Sequence, residues 1–102
     1  MQLKVLVPYG PTFKVLISDC ARAGQPQRAL ELSEEMQQQA LVPDGPTYNV
    51  LISACDQVRQ QQRALELYEQ MHQQALVPNG PTFMVLISAC ERAGQPQRAL
   101  EL

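Results

Sequence analysis

Hydrophobic positions recur along the chain with the spacing of an amphipathic helix. Phe13, Leu16 and Cys20 are separated by three and then four residues. A second segment has the same kind of spacing and comprises Ala29, Leu30, Leu32 and Met36. Side chains three or four residues apart lie on one face of a helix, and the Val-Leu-Ile runs are too short to form strands of their own. We therefore predict pairs of short helices and no β-structure.

The pattern repeats every 35 residues. Three blocks align without gaps from Pro8, Pro43 and Pro78, and about two-thirds of the positions are identical between the first two. A repeat that contains two helices is typical of an α-solenoid, in which each helical hairpin packs on its neighbours. We expect a single domain, residues 1–102, made of a partial leading segment 1–7 and repeats 8–42, 43–77 and 78–102, the last of them incomplete.

Glycine and proline mark the expected helix starts. Each block opens with Gly-Pro-Thr, and proline is tolerated in a first helical turn because its missing N–H would be unpaired there. Asp44 and Asn79 stand just before two of these starts, and both residue types are good helix caps. The first helix is expected to run from about Thr12 to Ala23.

The turn inside each hairpin differs between the blocks. Gly24 and Gly94 can adopt the left-handed conformation that ends a helix, and a proline two residues later can open the next one. The second block has Arg59 and Gln61 at these two places. We therefore expect the turn of the second hairpin to be the least stable of the three.

The blocks resemble the pentatricopeptide repeat. The resemblance rests on TYNVLISAC at 47–55, on RALELYEQM at 63–71, and on the LVPD and LVPN tails at 41–44 and 76–79. The tetratricopeptide repeat is less similar, since it has a period of about 34 residues and a Trp and Leu-Gly signature that is absent here. The resemblance implies an all-α fold, a right-handed α-solenoid of about three helix-turn-helix repeats. It also implies a protein of a chloroplast or mitochondrion, where long arrays of the family bind single-stranded RNA at about one base per repeat.

The resemblance further implies which residues would contact RNA. Base choice in the family rests mainly on the residue two positions after the helix-opening threonine and on the residue just before the next Gly-Pro. The matching residues are Lys14 with Asp44, Asn49 with Asn79, and Met84. The position that sandwiches a base, usually a branched aliphatic, is occupied by Pro11, Pro46 and Pro81.

These residues differ in what they offer a base. Asn49 with Asn79 resembles a pyrimidine-preferring pair, and an amide has both a donor and an acceptor for a Watson–Crick edge. Lys14 and Met84 depart from the small polar residues of the family, because lysine only donates hydrogen bonds and methionine forms no useful one.

The remaining chemistry-bearing residues indicate no catalysis. Cys20, Cys55 and Cys90 recur at the repeat period. Equivalent positions of stacked helices lie about 10 Å apart, beyond the ~7 Å limit of a disulfide and unlike the close ligands of a metal site, so we expect core cysteines. His72 has no partner constellation and is expected at the surface. We predict a non-enzymatic protein without cofactor or metal.

Other side chains are expected to serve packing or solvation. We expect Phe13, Tyr48 and Phe83 in the core rather than as base-stacking platforms, and the glutamine runs at 37–39 and 60–62 on a solvated face. Arg28 with Glu31 and Arg63 with Glu66 are three residues apart and should form weak surface pairs.

Charge and hydropathy limit the partners. The formal net charge of −2 gives no general attraction to nucleic acid or to an anionic membrane. No apolar run approaches the ~20 residues that span a bilayer, so no membrane span is expected. The first seven residues are too short for a signal peptide and are not Arg/Ser-rich like a transit peptide, so we identify no targeting segment in the chain.

Two functions follow, and the sequence favours the first. In the first, the chain is a protein-binding scaffold element of a larger organellar complex. Its support is the mild acidity, the departures at Lys14 and Met84, and two apolar ends, at Leu3 to Val7 and at Leu102, that protein subunits would cover.

The alternative is sequence-selective binding of single-stranded organellar RNA. Two or three bases at roughly 1–3 kcal/mol each barely offset association costs of about 4–15 kcal/mol, so this function favours a longer array or basic partners. A continuous groove lined by Arg22, Arg59 and Arg92 would support it.

Overall fold

The computed structural model describes residues 10–95 and 97–98, and five α-helices occupy this part of the chain. Each helix has 13 residues. They are α1 (Gly10–Arg22), α2 (Pro26–Gln38), α3 (Gly45–Gln57), α4 (Gln61–Gln73) and α5 (Gly80–Arg92). Within these bounds there is no strand, and the predicted helical hairpins are confirmed. The expectations for segment 1–7, for Pro96 and for the chain ends lie outside the described residues.

Side-chain caps begin α3 and α5. The backbone N–H of Thr47 donates to Oδ1 of Asp44 at 3.0 Å, and that of Thr82 donates to Oδ1 of Asn79 at 2.9 Å. Each bond satisfies an N–H that has no partner inside the helix. The capping role predicted for Asp44 and Asn79 is confirmed. α1 begins at Gly10 and ends at Arg22, two residues and one residue earlier than expected.

All five helices end with a left-handed residue. Gly24 and Gly94 have φ of 73°, as predicted, and Arg59 takes the equivalent place in the second hairpin with φ of 60°. Ala40 and Ala75, both with φ of 59°, end the second helix of their repeats. After each of them the next N–H donates to a carbonyl five residues back, at 2.7–3.0 Å, which is the Schellman arrangement. The turn geometry is therefore kept even where glycine is absent.

The helices form two rows with different spacing. Cα atoms of α1 and α3, and of α3 and α5, approach within 8 Å, whereas no Cα atoms of α2 and α4 do. We call α1, α3 and α5 the inner row and α2 and α4 the outer row. Because the inner row is more closely spaced, the stack curves with this row on the inside. The molecule measures 53 × 27 × 20 Å, so it is elongated, as a solenoid should be.

The core lies between the two rows. Phe13 and Tyr48 are buried as predicted, but Phe83 is only half-buried. The other fully buried large side chains are Ile17, Leu30, Met36, Leu51, Ile52, Cys55, Leu65, Met71, Leu86 and Cys90.

The predicted stripe of α1 is wrong at one position. Leu16 is 37% exposed, and Ile17 is fully buried in its place. Leu51 and Leu86 occupy the position equivalent to Leu16 and are fully buried, because α3 and α5 each have a preceding hairpin packed against them. In residues 10–95 and 97–98, α1 has no earlier helix that covers Leu16 in this way.

Long side chains connect the outer row. Nε2 of Gln37 donates to Oε1 of Gln70 at 3.1 Å. The guanidinium of Arg63 lies 3.1 Å from Oε2 of Glu34 and donates to the carbonyl of Leu30 at 3.3 Å. The predicted pair of Arg63 with Glu66 is therefore wrong, because α2 offers a carboxylate and a carbonyl across the interface.

The same connection recurs one repeat later, where Arg98 forms an ion pair with Glu69. In the first repeat Arg28 pairs with Glu31 of its own helix at 3.3 Å, as predicted. The glutamines at 37–39 are exposed, whereas Gln60 and Gln61 are half-buried at the start of α4.

The cysteines form no disulfide with one another. Cys55 and Cys90 are buried and Cys20 is half-buried, as expected for residues that fill the core. Burial raises the pKa of the Cys55 thiol to about 11. None of the described helices is long and apolar enough to cross a membrane.

Candidate functional site

The first predicted pair is joined in the structure. Nζ of Lys14, on α1, lies 3.3 Å from Oδ2 of Asp44, and the two side chains are 36% and 46% exposed. Hydrogen bonding from Thr47 is the largest cause that lowers the pKa of Asp44; partial burial opposes it, and Lys14 adds to it. Asp44 is therefore ionised at neutral pH, and the pair presents an ammonium beside a carboxylate.

The second predicted pair lines one open pocket. Asn49, in the first half of α3, and Asn79, the cap of α5, both border a cavity of about 240 Å³ together with Pro81. Ala21 and Pro26 of the first hairpin border the same cavity. The pocket thus lies along the inner row, next to the start of α2, and includes residues from all three repeats.

The two asparagines have different hydrogen-bonding states. Oδ1 of Asn79 is occupied by the N–H of Thr82, so its Nδ2 group is the part left to donate to a ligand. Oδ1 of Asn49 is buried and has no hydrogen-bond partner. An unpaired buried acceptor costs about 1–3 kcal/mol, which a ligand N–H could recover after a rotation of the Asn49 amide.

The other predicted residues are placed less distinctively. Met84, at the matching position of α5, is 67% exposed. Pro46 and Pro81 are exposed, and Pro81 is the one of the two that lines the pocket. Pro11 belongs to α1, and its side chain is outside the described part.

The arginines do not form a regular series along the inner row. Arg92 is bound to Asp56 at 2.8 Å. Arg22 occupies the position equivalent to Arg92, but the second repeat has Gln57 there. Arg59 lies in a turn at a different position of the repeat. Across the residues that the structure describes, these arginines therefore form no continuous track of free cations.

Sequence reasoning missed the double role of Asp44 and Asn79. The sequence predicts that each residue is a cap and also a candidate contact to a base. It does not indicate that the cap fixes which side-chain atom remains available to a ligand. The cap uses Oδ1, so Asp44 is left with an acceptor and Asn79 with a donor. Sequence reasoning also missed the Lys14–Asp44 ion pair. Its only signal in the sequence is the opposite charge of two residues that the resemblance already assigns to one pair.

No other constellation of reactive groups is evident in the described ranges. Residues 10–95 and 97–98 contain no group of three or more His, Cys, Asp or Glu that could hold a metal ion. His72 is exposed, as expected, with its ring centroid 6.1 Å from that of Tyr68.

These features define a helical-repeat protein, in which successive hairpins stack and the first two repeats present polar side chains at matching positions of the inner row. The family model described as the pentatricopeptide repeat domain matches residues 6–57 and 31–93. The chain belongs to the pentatricopeptide repeat family. No curated protein sequence matches it.

Several solved structures resemble the chain, and three of them are of the protein PPR10. A crystal structure of the pentatricopeptide repeat protein PPR10 in complex with an 18-nt psaJ RNA element has a TM-score of 0.72 and 29% identity over 93% of this chain. A cysteine-to-serine variant of PPR10 with the same RNA element gives the same values. PPR10 from maize has a TM-score of 0.70 and 29% identity over 92% of this chain. The chain spans 14% of the length of the RNA-bound PPR10 chain.

Proposed function

We propose that this chain is a non-enzymatic element that binds single-stranded RNA, in which the pocket of Asn49, Asn79 and Pro81 holds one pyrimidine base. The observation that carries the proposal is the convergence of two side-chain amides and a proline in one pocket of the inner row. Membership of the family supports it, and so does the likeness to PPR10, which holds an RNA element. The proposal includes the organellar location that the resemblance implies.

Hydrogen bonding accounts for the pyrimidine. The free Nδ2 of Asn79 can donate to a base carbonyl or ring nitrogen, and Asn49 can supply a donor or an acceptor beside it. Cytosine presents an amino donor with two acceptors, and uracil presents one N–H between two carbonyls. Pro81 adds an apolar surface at the edge of the pocket. An asparagine pair can therefore satisfy either pyrimidine.

Electrostatics predicts how this binding depends on salt. Affinity for nucleic acid falls with salt in proportion to the number of phosphates that cations neutralise. Here Lys14 and Arg92 are already paired with carboxylates, and the chain is acidic overall. Binding should therefore be weak and depend little on salt, because base contacts rather than phosphate contacts supply it.

A test follows from the cap geometry. Asn79→Asp keeps the cap, since aspartate also accepts from Thr82, but it replaces the free donor with an acceptor. We expect cytosine-centred strands to lose about tenfold in affinity, because their ring nitrogen and carbonyl would face a carboxylate, whereas uracil can offer its N–H. Titration of the ¹⁵N-labelled chain with short strands, followed by NMR, measures dissociation constants in the millimolar range, about −4 kcal/mol.

The control is Gln73→Ala on α4, which is exposed and does not line the pocket. It should leave the titration unchanged. If no strand shifts the signals of Asn49 and Asn79 at low salt, the proposed function is wrong.

The protein-scaffold hypothesis stays a prediction. The likeness to solved structures supports RNA binding better than it supports a protein scaffold, since those structures include RNA-bound PPR10. The apolar ends on which the scaffold hypothesis depended lie outside the described residues.

A further inference from the structure

Asn79 is followed directly by Gly80 at the start of α5, and both residues are exposed to solvent. The N–H of Thr82 donates to Oδ1 of Asn79 at 2.9 Å, and the ψ of Asn79 is 174°. A Cβ on Gly80 would meet no side chain or neighbouring helix within 4 Å. Water can therefore reach the amide of Asn79 and the peptide bond that follows it.

An asparagine and a glycine in this order can react with each other. The carbon of a side-chain amide is an electrophile, and the backbone nitrogen of the next residue is close enough to attack it. When the next residue is glycine, no side chain hinders the nitrogen and the backbone rotates easily. The N–H of a first helical residue such as Gly80 also has no partner inside its helix, so no helical hydrogen bond protects the nitrogen.

We propose that Asn79 and Gly80 form a site of spontaneous deamidation, and that the cap of α5 restrains the reaction while the helix is formed. The nitrogen of Gly80 loses its proton to a base in the solvent and forms a bond to Cγ of Asn79. The Cγ–Nδ2 bond breaks, and Nδ2 takes up a proton and leaves as ammonia. The product is a succinimide ring. Water then opens the ring at either of its two carbonyl carbons and yields aspartate or isoaspartate.

The cap geometry opposes ring closure. At the observed ψ of 174°, the bond from the carbonyl carbon of Asn79 to the nitrogen of Gly80 is staggered with respect to the Cα–Cβ bond of Asn79. The ring requires these two bonds to be nearly eclipsed. Rotation about ψ would bring them together, but it would move α5 relative to the side chain and break the bond from Thr82. The rate should therefore follow the fraction of time that the first turn of α5 is open.

Two comparable residues of the chain do not meet these conditions. Asn49 is the other asparagine, but it is half-buried within α3 and precedes a valine, whose branched side chain hinders the nitrogen. Asp44 precedes Gly45 and caps α3 in the same way. Hydrogen bonding from Thr47 lowers the pKa of Asp44, and an ionised carboxylate is a poor electrophile. These differences single out Asn79.

The two products should affect α5 differently. Aspartate at position 79 keeps the cap, as Asp44 does for α3, and adds a negative charge where the helix dipole favours one. In isoaspartate the main chain is longer by a methylene group, so the remaining carboxylate no longer lies in front of the N–H of Thr82. Because α5 packs on α3 and α4, the loss of its cap should loosen the third repeat.

The experiment incubates the whole 102-residue chain in mildly alkaline buffer, with and without guanidinium chloride, and follows the masses of its tryptic peptides. Trypsin separates the two asparagines, because Arg59 and Arg63 lie between them. In the unfolded chain, Asn79 should deamidate at least about tenfold faster than Asn49. In the folded chain, Asn79 should react about tenfold more slowly than in the unfolded chain, because the cap has to open first. Isoaspartyl methyltransferase should methylate the product.

Variants test whether the glycine nitrogen takes part. Gly80→Ala places a methyl group beside the nitrogen and should slow the reaction about tenfold in the unfolded chain, where its effect on the helix does not matter. Gly45→Ala, the same change at the start of α3, is the matched control and should leave the rate at Asn79 unchanged. Asn79→Ser keeps an oxygen for the cap and should abolish the mass gain of its peptide.

Three results would overturn the inference. Equal rates at Asn79 and Asn49 in the unfolded chain, or a product with aspartate but no isoaspartate, would mean that Gly80 does not attack the amide. Equal rates at Asn79 in the folded and unfolded chain would mean that the cap does not restrain the reaction. None of these measurements involves RNA, so this inference and the proposed function stand or fall separately.

Discussion

Asp44 and Asn79 each use one side-chain oxygen to begin a helix and leave the rest of the side chain for other contacts. The bond from Thr47 to Asp44 and the bond from Thr82 to Asn79 differ by only 0.1 Å in length. The two helix starts are therefore equivalent, although one leaves an acceptor and the other a donor. At this scale, a residue that contributes to stability also determines what the surface can bind.

Replacing Asp44 tests the stabilising part of this role. Asp44→Ala should lower the free energy of unfolding by about 1 kcal/mol, the usual cost of losing a cap, whereas Asp44→Asn should retain most of it. Urea unfolding at pH 7 measures both. Equal stability of the alanine and asparagine variants would show that the cap contributes nothing.

The charge on Asp44 adds a dependence on pH. Its pKa is lowered in the folded protein, chiefly by hydrogen bonding from Thr47, from an ordinary value of 3.8. The stabilisation from the ionised form is thus present above that value and is lost as the pH falls through the lower, folded pKa. Any stability advantage of wild type over Asp44→Asn should therefore shrink below about pH 4.

Cys55 should be unreactive in the folded protein. It is fully buried, and burial raises its pKa from 9.0 to about 11, so almost no thiolate is present at pH 8. Iodoacetamide should alkylate the half-buried Cys20 first and Cys55 only on unfolding, as peptide mass mapping can determine. Urea-unfolded protein is the control, in which both residues should react at similar rates.

The raised pKa of Cys55 also predicts that the protein loses stability at high pH. A thiol whose pKa is raised by folding stabilises the protein below its unfolded pKa, and this stabilisation is lost as the pH rises from about 9 to about 11. Burial shifts the pKa of Tyr48 in the same direction, so both residues contribute. A free energy of unfolding that stays constant over this range would contradict the prediction.

At the scale of the helices, the ends are more uniform than the sequence suggests. Glycine predicted the left-handed residue at Gly24 and Gly94, but Ala40, Arg59 and Ala75 adopt the same conformation without any composition signal. Their φ values follow from the hydrogen bonds that close each helix and from the packing of the following segment. A left-handed conformation in a non-glycine residue therefore cannot be predicted from the local sequence, because it depends on where the next helix packs.

Ala40 offers a direct test of this strain. Ala40→Gly should raise the free energy of unfolding by about 0.5–1 kcal/mol, because a left-handed residue with a Cβ costs roughly 1–2 kcal/mol and glycine's greater freedom in the unfolded chain offsets part of that. The control is Ala93→Gly, where φ is −83° and the substitution should destabilise. Urea unfolding measures both, and a decrease at Ala40 would contradict the prediction.

The buried and exposed faces of the helices show which part of the packing can be predicted from the sequence. The 35-residue period and the apolar spacing predicted the hairpins, the buried cysteines and most of the core. They did not distinguish Leu16 from Leu51 and Leu86, because these residues have the same local sequence and differ only in what lies beside them. Likewise Arg63 and Arg28 have the same local sequence, yet Arg63 pairs across the interface with Glu34.

For the candidate site, the resemblance supplied the positions but not their geometry. It placed Asn49 and Asn79 at matching positions, and the structure brings both to one pocket. It could not indicate the buried, unpaired oxygen of Asn49 or the ion pair of Lys14, because both depend on how α1, α3 and α5 pack together.

In the whole molecule, the interface of α2 with α4 depends on side chains that reach across it. Arg63 is bound to Glu34 and to the carbonyl of Leu30 and is 25% exposed, whereas Arg28, at the equivalent position, is 57% exposed and paired within its own helix. The two arginines can therefore be compared directly, because they differ mainly in whether their contacts join two repeats.

Replacing these arginines should measure the coupling between repeats. Arg63→Met should lower the free energy of unfolding by about 1–2 kcal/mol, since it loses a charged hydrogen bond to a carbonyl as well as an ion pair. Arg28→Met should cost at most about 0.5 kcal/mol, as is usual for an exposed pair. Thermal and urea unfolding of both variants compare them, and equal losses would indicate that the contact between repeats adds nothing.

The unequal spacing of the two rows has a mechanical consequence. The inner helices are in direct contact, so the distance from one repeat to the next is fixed there. The outer helices are joined by extended side chains such as those of Gln37 and Arg63, which can lengthen or shorten the gap by changing rotamer. We therefore expect a change of curvature, in which the outer row opens or closes, to cost less than a change in the spacing of the inner row.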